Sequence, residues 1–290
     1  MKKTKILIPV YNDWKSAFKL LEEINIHLEG WDADVSVLII NDASLEERPA
    51  HTSILKNLRS IHIVNMRENK GHARCNAAGL KYINENEDFD FVIVMDGDGE
   101  DRPQELGDLL CKGYENTDKV ITADRVKRSE GLFFKFCYLV HKYLTFIFTG
   151  QSIKFGNYSC LPKFAVNMMA QQASTWSSFS GSLAKTIKNR TSVSSIRGER
   201  YFGPSKMSFI SLLKHSLSIM AVFKTTLLIR STIFLIAYLF LVIGKISVIT
   251  LIPVIAVIIM MFLVITLSKR ENKSEFDKSL ENINSIDKIK

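Results

Sequence analysis

Asp96-Gly97-Asp98-Gly99-Glu100-Asp101 places carboxylates at alternate positions directly after the apolar run Phe91–Met95. Acids crowded in this way repel one another unless a divalent cation neutralises them. The loop has no His or Cys, and an oxygen-only donor set suits Mg²⁺ or Mn²⁺, which keep some water and bind substrate phosphates. An Asp-x-Asp pair by itself is equally at home in an acidic surface loop. What separates the two readings is the place of the pair in the fold.

The first 125 residues alternate strand and helix. Apolar runs predict strands at Lys5–Val10, Val35–Ile40, Ile61–Val64, Phe91–Met95 and Lys119–Ala123. Helical periodicity covers Trp14–Leu28, His72–Ile83 and the stretch opened by Pro103. Such alternation implies a largely parallel sheet covered on both faces, whose ligands bind at the carboxyl ends of the strands. Polar clusters fall there: Tyr11-Asn12-Asp13, Asn41-Asp42, Asn69-Lys70-Gly71 and Asp96–Asp101. Four loops therefore converge on one edge.

The 290 residues carry a net charge of +8, unevenly divided. Residues 1–130 sum to −6, whereas residues 131–270 hold 16 basic residues and one acid, Glu199. The basic half is also the apolar half, which argues for a bilayer and against nucleic acid. Ile246–Leu267 is free of charge and long enough to cross ~30 Å of hydrocarbon. Thr225–Ile243 is interrupted only by Arg230, expected to snorkel toward the headgroups. Gly244 and Lys245 join the two into a tight hairpin. Lys206, Lys214, Lys224 and Arg230 before it, and Lys269, Arg270 and Lys273 after it, place both ends in the cytosol. Residues 131–150 interleave seven aromatics with Lys135, His141 and Lys142, which suits an amphipathic helix in a membrane interface. Residues 206–224 read as a second such helix, and the polar tail 269–290 as disordered. No secretory signal is visible, because Pro9 interrupts the short run after Met1-Lys2-Lys3. Cys75, Cys111, Cys137 and Cys160 show no paired spacing and read as reduced thiols.

Four motifs in order, Ile8-Pro9-Val10-Tyr11-Asn12-Asp13, Ile40-Asn41-Asp42-Ala43-Ser44, Asn69-Lys70-Gly71-His72-Ala73 and Asp96–Pro103, resemble those of family 2 glycosyltransferases with the GT-A fold. The branch most similar is the dolichyl- or undecaprenyl-phosphate sugar synthases, which also carry a C-terminal membrane hairpin. The resemblance implies a Rossmann-like α/β domain over 1–205, a juxtamembrane helix over 206–224, a transmembrane hairpin over 225–268 and a cytosolic tail. It implies a nucleotide pocket formed by Pro9, Tyr11, Asp13, Asp42, Lys70, Gly71, Asp96 and Gly97. Asp96 and Asp98 match the pair that holds ribose and metal, and Glu100 stands beside it where relatives have Gln. Arg125, Arg200 and Lys206 match the basic positions of later loops. Gly156-Asn157-Tyr158-Ser159 departs from the Asp-Phe-Arg of many relatives, on the acceptor side.

Displacing a nucleoside diphosphate from an anomeric carbon needs leaving-group stabilisation, which a divalent metal supplies, and a nucleophile on the opposite face. A hydroxyl nucleophile needs a carboxylate base. A phosphate monoester is already anionic and needs cations instead, for which Arg125, Lys135, Arg200 and Lys206 are candidates. The scarcity of acids after Glu130 favours the phosphate. The expected activity is transfer of a hexose from a nucleotide sugar, UDP favoured over GDP, to a polyisoprenyl phosphate at the cytosolic face. Transfer to a hydroxyl, with Glu199 or Asp101 as base, and a nucleotide-binding scaffold without turnover are the alternatives. A single hairpin is too small for a transport path, and assembly into a homo-oligomer is left open.

Overall fold

A computed structural model describes residues 1–50, 54–127, 132–204 and 208–290, with the side chains of residues 127, 132–138, 141 and 209 excepted. Lys206 and the side chain of Lys135 thus lie outside the described residues. In chain order the elements are β1 (Lys3–Val10), α1 (Trp14–His27), β2 (Asp34–Asn41), β3 (Ile61–Met66), α2 (His72–Asn86), β4 (Phe91–Val94), α3 (Leu106–Glu115), β5 (Val120–Lys127), α4 (Leu132–Thr149) and β6 (Phe155–Pro162). There follow α5 (Lys163–Ala170), α6 (Ser174–Ser177), α7 (Phe179–Thr186), β7 (Arg190–Ile196), α8 (Phe209–Ala221), α9 (Lys224–Val242), α10 (Val248–Ser268), α11 (Lys273–Asp277) and β8 (Ile283–Lys288).

The strands form one sheet in the order β7-β5-β6-β4-β1-β2-β3-β8. The pairs β4–β1, β1–β2, β2–β3 and β5–β7 are parallel, while β6 runs antiparallel between β4 and β5 and β8 runs antiparallel to β3. Central strands β1, β2 and β4 are covered on both faces, so they read as continuous apolar runs. On one face α1 and α3 bury Trp14, Leu20, Leu21, Ile24, Leu109 and Leu110 against Ile6, Ile8, Ile39 and Ile93. On the other, α2, α5, α6 and α7 cover Leu7, Leu38, Val92 and Val94. At Gly79 a Cβ would come within 2.4 Å of Leu7 Cδ1, so glycine is what lets α2 lie this close to β1.

Helices α9 and α10, of 19 and 21 residues, are long and apolar enough to cross a membrane. At 1.5 Å per residue they reach ~28 and ~31 Å. Gly244, at φ +81°, turns the chain between them. Their apolar side chains are largely exposed: Phe240 76%, Ile249 78% and Phe262 67%. Helix α4 leans on α9 through an edge-to-face contact of Phe148 with Phe234 and exposes Tyr143, Phe146 and Ile147. Arg230, exposed near the start of α9, reaches across to α4. Its Nη1 donates to the Ile147 carbonyl at 3.0 Å, so a cation supplies the last turn of α4 with the donor that helix ends lack.

The tail is ordered, contrary to the expectation from its composition. Phe276 of α11 is 1% exposed and lies 6.1 Å from the ring of Trp176, and β8 adds to the edge of β3. One aromatic anchor and an open strand edge suffice to order a polar segment that shows no periodicity of its own.

Candidate functional site

The carboxyl ends of β1, β2 and β4 carry loops that are stitched together. The Asn12 N–H donates to Ser44 Oγ at 3.0 Å, and Asn12 Oδ1 accepts from the N–H groups of Leu45 and Glu46. Asn12 and Ala43 hold φ of 49° and 54°, a strained left-handed backbone at the mouth of the site. Asp42, 3% exposed, accepts from the Lys70 and Gly71 N–H groups at 2.8 Å each. It therefore anchors the loop that opens α2, with its carboxylate turned inward.

After β4 the acids separate into four differently partnered groups. Asp96 Oδ1 lies 3.1 Å from His72 Nε2 and accepts from Asn157 Nδ2 at 3.1 Å. Asp98 is paired with Arg200, whose other Nη reaches Asp13 Oδ2 at 2.7 Å, so one guanidinium bridges the first loop and the acidic turn. Glu100 accepts from Arg197 Nε at 2.9 Å. Asp101, buried, accepts the Asp96 N–H at 2.9 Å and faces Arg125 at 3.6 Å. Residues 197–201 lie on this turn: the Gly198 N–H donates to the Glu100 carbonyl and the Tyr201 N–H to that of Asp98. Gly99, at φ +92°, makes the approach possible, because a Cβ there would sit 2.7 Å from the Tyr201 ring.

The partners set the acidities. Burial alone would raise Asp96, but the charge and hydrogen bond of His72, the Asn157 amide and Arg125 outweigh it and hold its carboxyl below the usual range. Burial, then the charges of Asp96 and Glu100, push Asp98 up to about 6 against the pull of Arg200. Burial and Asp96 push Asp101 up to about 8. Burial works against protonation of His72, yet Asp96, Asp101 and Asp98 together raise its pKa. A divalent cation between Asp96 and Asp98 would relieve the repulsion that raises Asp98.

The sequence profile of glycosyl transferase family 2 matches residues 5–169, from β1 into α5. The chain belongs to glycosyl transferase family 2. Among curated relatives, the undecaprenyl-phosphate 4-deoxy-4-formamido-L-arabinose transferase of Klebsiella pneumoniae is 26% identical over 241 residues, 81% of this chain and 71% of the relative. The protein of the same description from Salmonella choleraesuis is 26% identical over 78% of this chain and 69% of its own. Among solved structures, the Pyrobaculum calidifontis mannosyltransferase PcManGT, in complex with GDP-Man and Mn²⁺, superposes with a TM-score of 0.53 at 14% identity, covering 97% of this chain and 86% of that one. Glucosyl-3-phosphoglycerate synthase from Mycobacterium tuberculosis gives 0.51 at 14% identity, over 78% and 80%. At these identities the superpositions speak for a shared fold.

In this family 2 protein the structure brings Asp13, Asp96, Asp98, Arg125 and Arg200 to one edge. Pro9 and Gly97 meet there by backbone, a Gly97 Cβ falling 3.1 Å from the Pro9 carbonyl, and Tyr11 stands 44% exposed beside them. Lys70 contributes its N–H to Asp42, while its ammonium turns out to Glu68 at 2.6 Å. Glu100 does not join a three-carboxylate cage, because Arg197 takes its side chain, and among the described residues no group of three His, Cys, Asp or Glu could hold an ion. Of the expected donors this leaves Asp96 and Asp98, an all-oxygen pair whose chemistry would suit Mg²⁺ or Mn²⁺. Arg200 stands between two acids and not free for an acceptor. His72, Asn157 and Arg197 carried no assigned role in the sequence reading, although Asn157 marks the departure from the family pattern. A concavity of about 230 Å³ at the opposite sheet edge, lined by Lys3, Lys5, Asp34, Arg59 and Glu87, has its charges already paired.

Proposed function

We propose that this chain transfers a sugar, a hexose in our reading, from a nucleotide sugar to the phosphate of a polyisoprenoid at the cytosolic face of a membrane. One observation supports the reading: the strand that touches Asp96 also packs at the foot of the membrane hairpin. Asn157 of β6 donates to Asp96, while Phe155, two residues earlier, packs with Ile153 against Val222 and Phe223 at the α8–α9 junction. Donor binding and lipid delivery would thus meet on one short segment.

Asp96 and Asp98 would hold Mg²⁺ or Mn²⁺, which when bound neutralises charge on the leaving diphosphate. Pro9, Tyr11, Asp13 and Gly97 frame the nucleotide, with UDP favoured over GDP, and Asp42 holds the Lys70–Gly71 loop beside it. Arg125 and Arg200, with Lys206, supply positive charge for phosphate oxygens once Arg200 leaves Asp98. Asp101 is unsuited to the work of a base for a hydroxyl acceptor, because its carboxyl is buried and engaged by the Asp96 N–H and Arg125. An acceptor that arrives as an anion removes that requirement.

The test uses full-length protein in detergent with undecaprenyl phosphate and a panel of UDP- and GDP-linked hexoses and pentoses. A lipid-linked sugar should form with Mg²⁺ or Mn²⁺ and not with EDTA. Asp98→Ala should lower the rate about 100-fold or more. Undiminished turnover in Asp98→Ala would remove the metal role, and preference for a hydroxyl acceptor would overturn the acceptor assignment.

A further inference from the structure

Two arginines outside the donor site meet the same short segment at the end of the second span: Arg270 opens it, its carbonyl accepting the Asn272 N–H, and Arg74 reaches Glu275, whose N–H donates to Asn272 Oδ1. Arg270 lies two residues beyond α10. Its Nη1 reaches only the Ser218 hydroxyl of α8, at 3.5 Å, and among the described residues no carboxylate comes within ion-pair distance of it. Arg74, in the first turn of α2, lies over the Trp176 ring at 5.4 Å. Among the described residues its buried Nε has no hydrogen-bond partner, and its terminal nitrogens make long contacts, 3.4 Å to the Lys70 carbonyl and 3.5 Å to Glu275. Glu275 is itself engaged by Trp176 Nε1 at 3.0 Å and is half exposed. Arg270's pKa is lowered by burial and then by the charge of Arg74, a repulsion that one outlying carboxylate leaves standing.

Each guanidinium presents five N–H donors in a planar fork, and among the described residues most of the ten here meet no acceptor. Two half-buried cations in such a position call for an anion between them, and tetrahedral phosphate oxygens match the fork geometry. We propose that Arg74 and Arg270, with the Ser218 hydroxyl, form a phosphate-binding site at the end of α10. A span of ~31 Å sets Arg270 at the depth of phospholipid headgroups, so the phosphate of a bilayer lipid is the natural source. The site is separate from Asp96 and Asp98 and does not rest on the proposed transfer. A phosphate held there ties the end of the span to α2, whose first residue, His72, borders Asp96.

The experiment measures thermal unfolding of the full-length protein in a phosphate-free detergent. Short-chain phosphatidylglycerol is titrated in one arm and inorganic phosphate in another, at matched ionic strength, with native mass spectrometry counting retained lipid. Stabilisation of the wild type by phosphatidylglycerol, with binding weakened about tenfold or more in Arg270→Gln and Arg74→Gln, is expected. Lys273→Gln, an exposed neighbour on α11, should bind as the wild type does. Arg270→Lys keeps the charge and should lose most of the binding, which separates recognition from a folding defect. Stabilisation by phosphatidylglycerol alone assigns a lipid headgroup; equal stabilisation by inorganic phosphate keeps the phosphate site and assigns a soluble source. No stabilisation in either arm, or full binding in Arg270→Gln, would overturn the proposal.

Discussion

Arg200→Ala removes the side chain that bridges Asp13 and Asp98. The side chains of Arg200, Asp13 and Asp98 are 15%, 22% and 18% exposed, so the bridge is mostly out of water. A hydrogen bond to a charged group contributes about 1.5–3 kcal/mol. Two of them, discounted for the remaining exposure, make the loss about 2–4 kcal/mol in the metal-free protein. The variant also leaves Asp98 facing Asp96 and Glu100 with no counter-charge, which works in the same direction. For a chain of this size 1 kcal/mol moves Tm by roughly 2 °C, so a fall of about 4–8 °C is expected in EDTA. Differential scanning fluorimetry on wild type, Arg200→Ala, Asp98→Asn and the double variant closes a cycle, whose coupling should be about 1–2 kcal/mol. Mn²⁺ should stabilise Arg200→Ala more than wild type, since a dication can take over the neutralisation of Asp98. Additive single effects, or equal Mn²⁺ stabilisation of both proteins, would refute the reasoning.

Two further outcomes follow from the same electrostatics and packing. Asp98 has a folded pKa of about 6 against 3.8 for a free side chain, so the folded, metal-free protein keeps a proton that the unfolded chain has released. Stability in EDTA should therefore fall as pH rises from about 4 through 6, and Asp101, at about 8, extends the slope upward. His72, also raised, contributes with the same sign, whereas Asp96 acts oppositely and only below its unfolded value. Denaturant melts across pH should show the decline, and Asp98→Asn should flatten its lower half; a slope unchanged in that variant would contradict the assignment. Phe276→Ala should cost about 3 kcal/mol and expose β3 to hydrogen exchange, since the ring is the tail's buried anchor. Protection of β3 that survives the change would mean β8 holds without it.

The parts of the fold that could be read from the chain are those whose neighbours impose a pattern. Strands β1, β2 and β4 lie inside a parallel sheet, and double-sided burial leaves uninterrupted runs such as Val37–Ile40. Strand β7, Arg190–Ile196, sits at an edge with most residues partly exposed, and its polar composition hides it. Strand β6 breaks the apolar rule with a buried Ser159, whose hydroxyl donates to the Asn157 carbonyl. At the site, Asp96 and Asp98 were legible because a short spacing after a buried strand is a local signal. The partners of the acids are not local. Arg197 and Arg200 come from about 100 residues away, and nothing near Glu100 announces that a guanidinium will occupy it. The spans themselves were readable within two residues, because hydrocarbon thickness imposes a length.

The chain leaves the catalytic sheet through β7 and α8, makes its excursion through α9 and α10, and returns to the same sheet as β8. The strands before and after the hairpin thus belong to one sheet, at its opposite edges. A domain tethered by a single leg could pivot, whereas in the proposed membrane arrangement attachment at two points would hold this one at a set height and tilt. Its reach would then follow the thickness of the surrounding lipid, and a lipid-borne reactant would come to it by diffusing sideways.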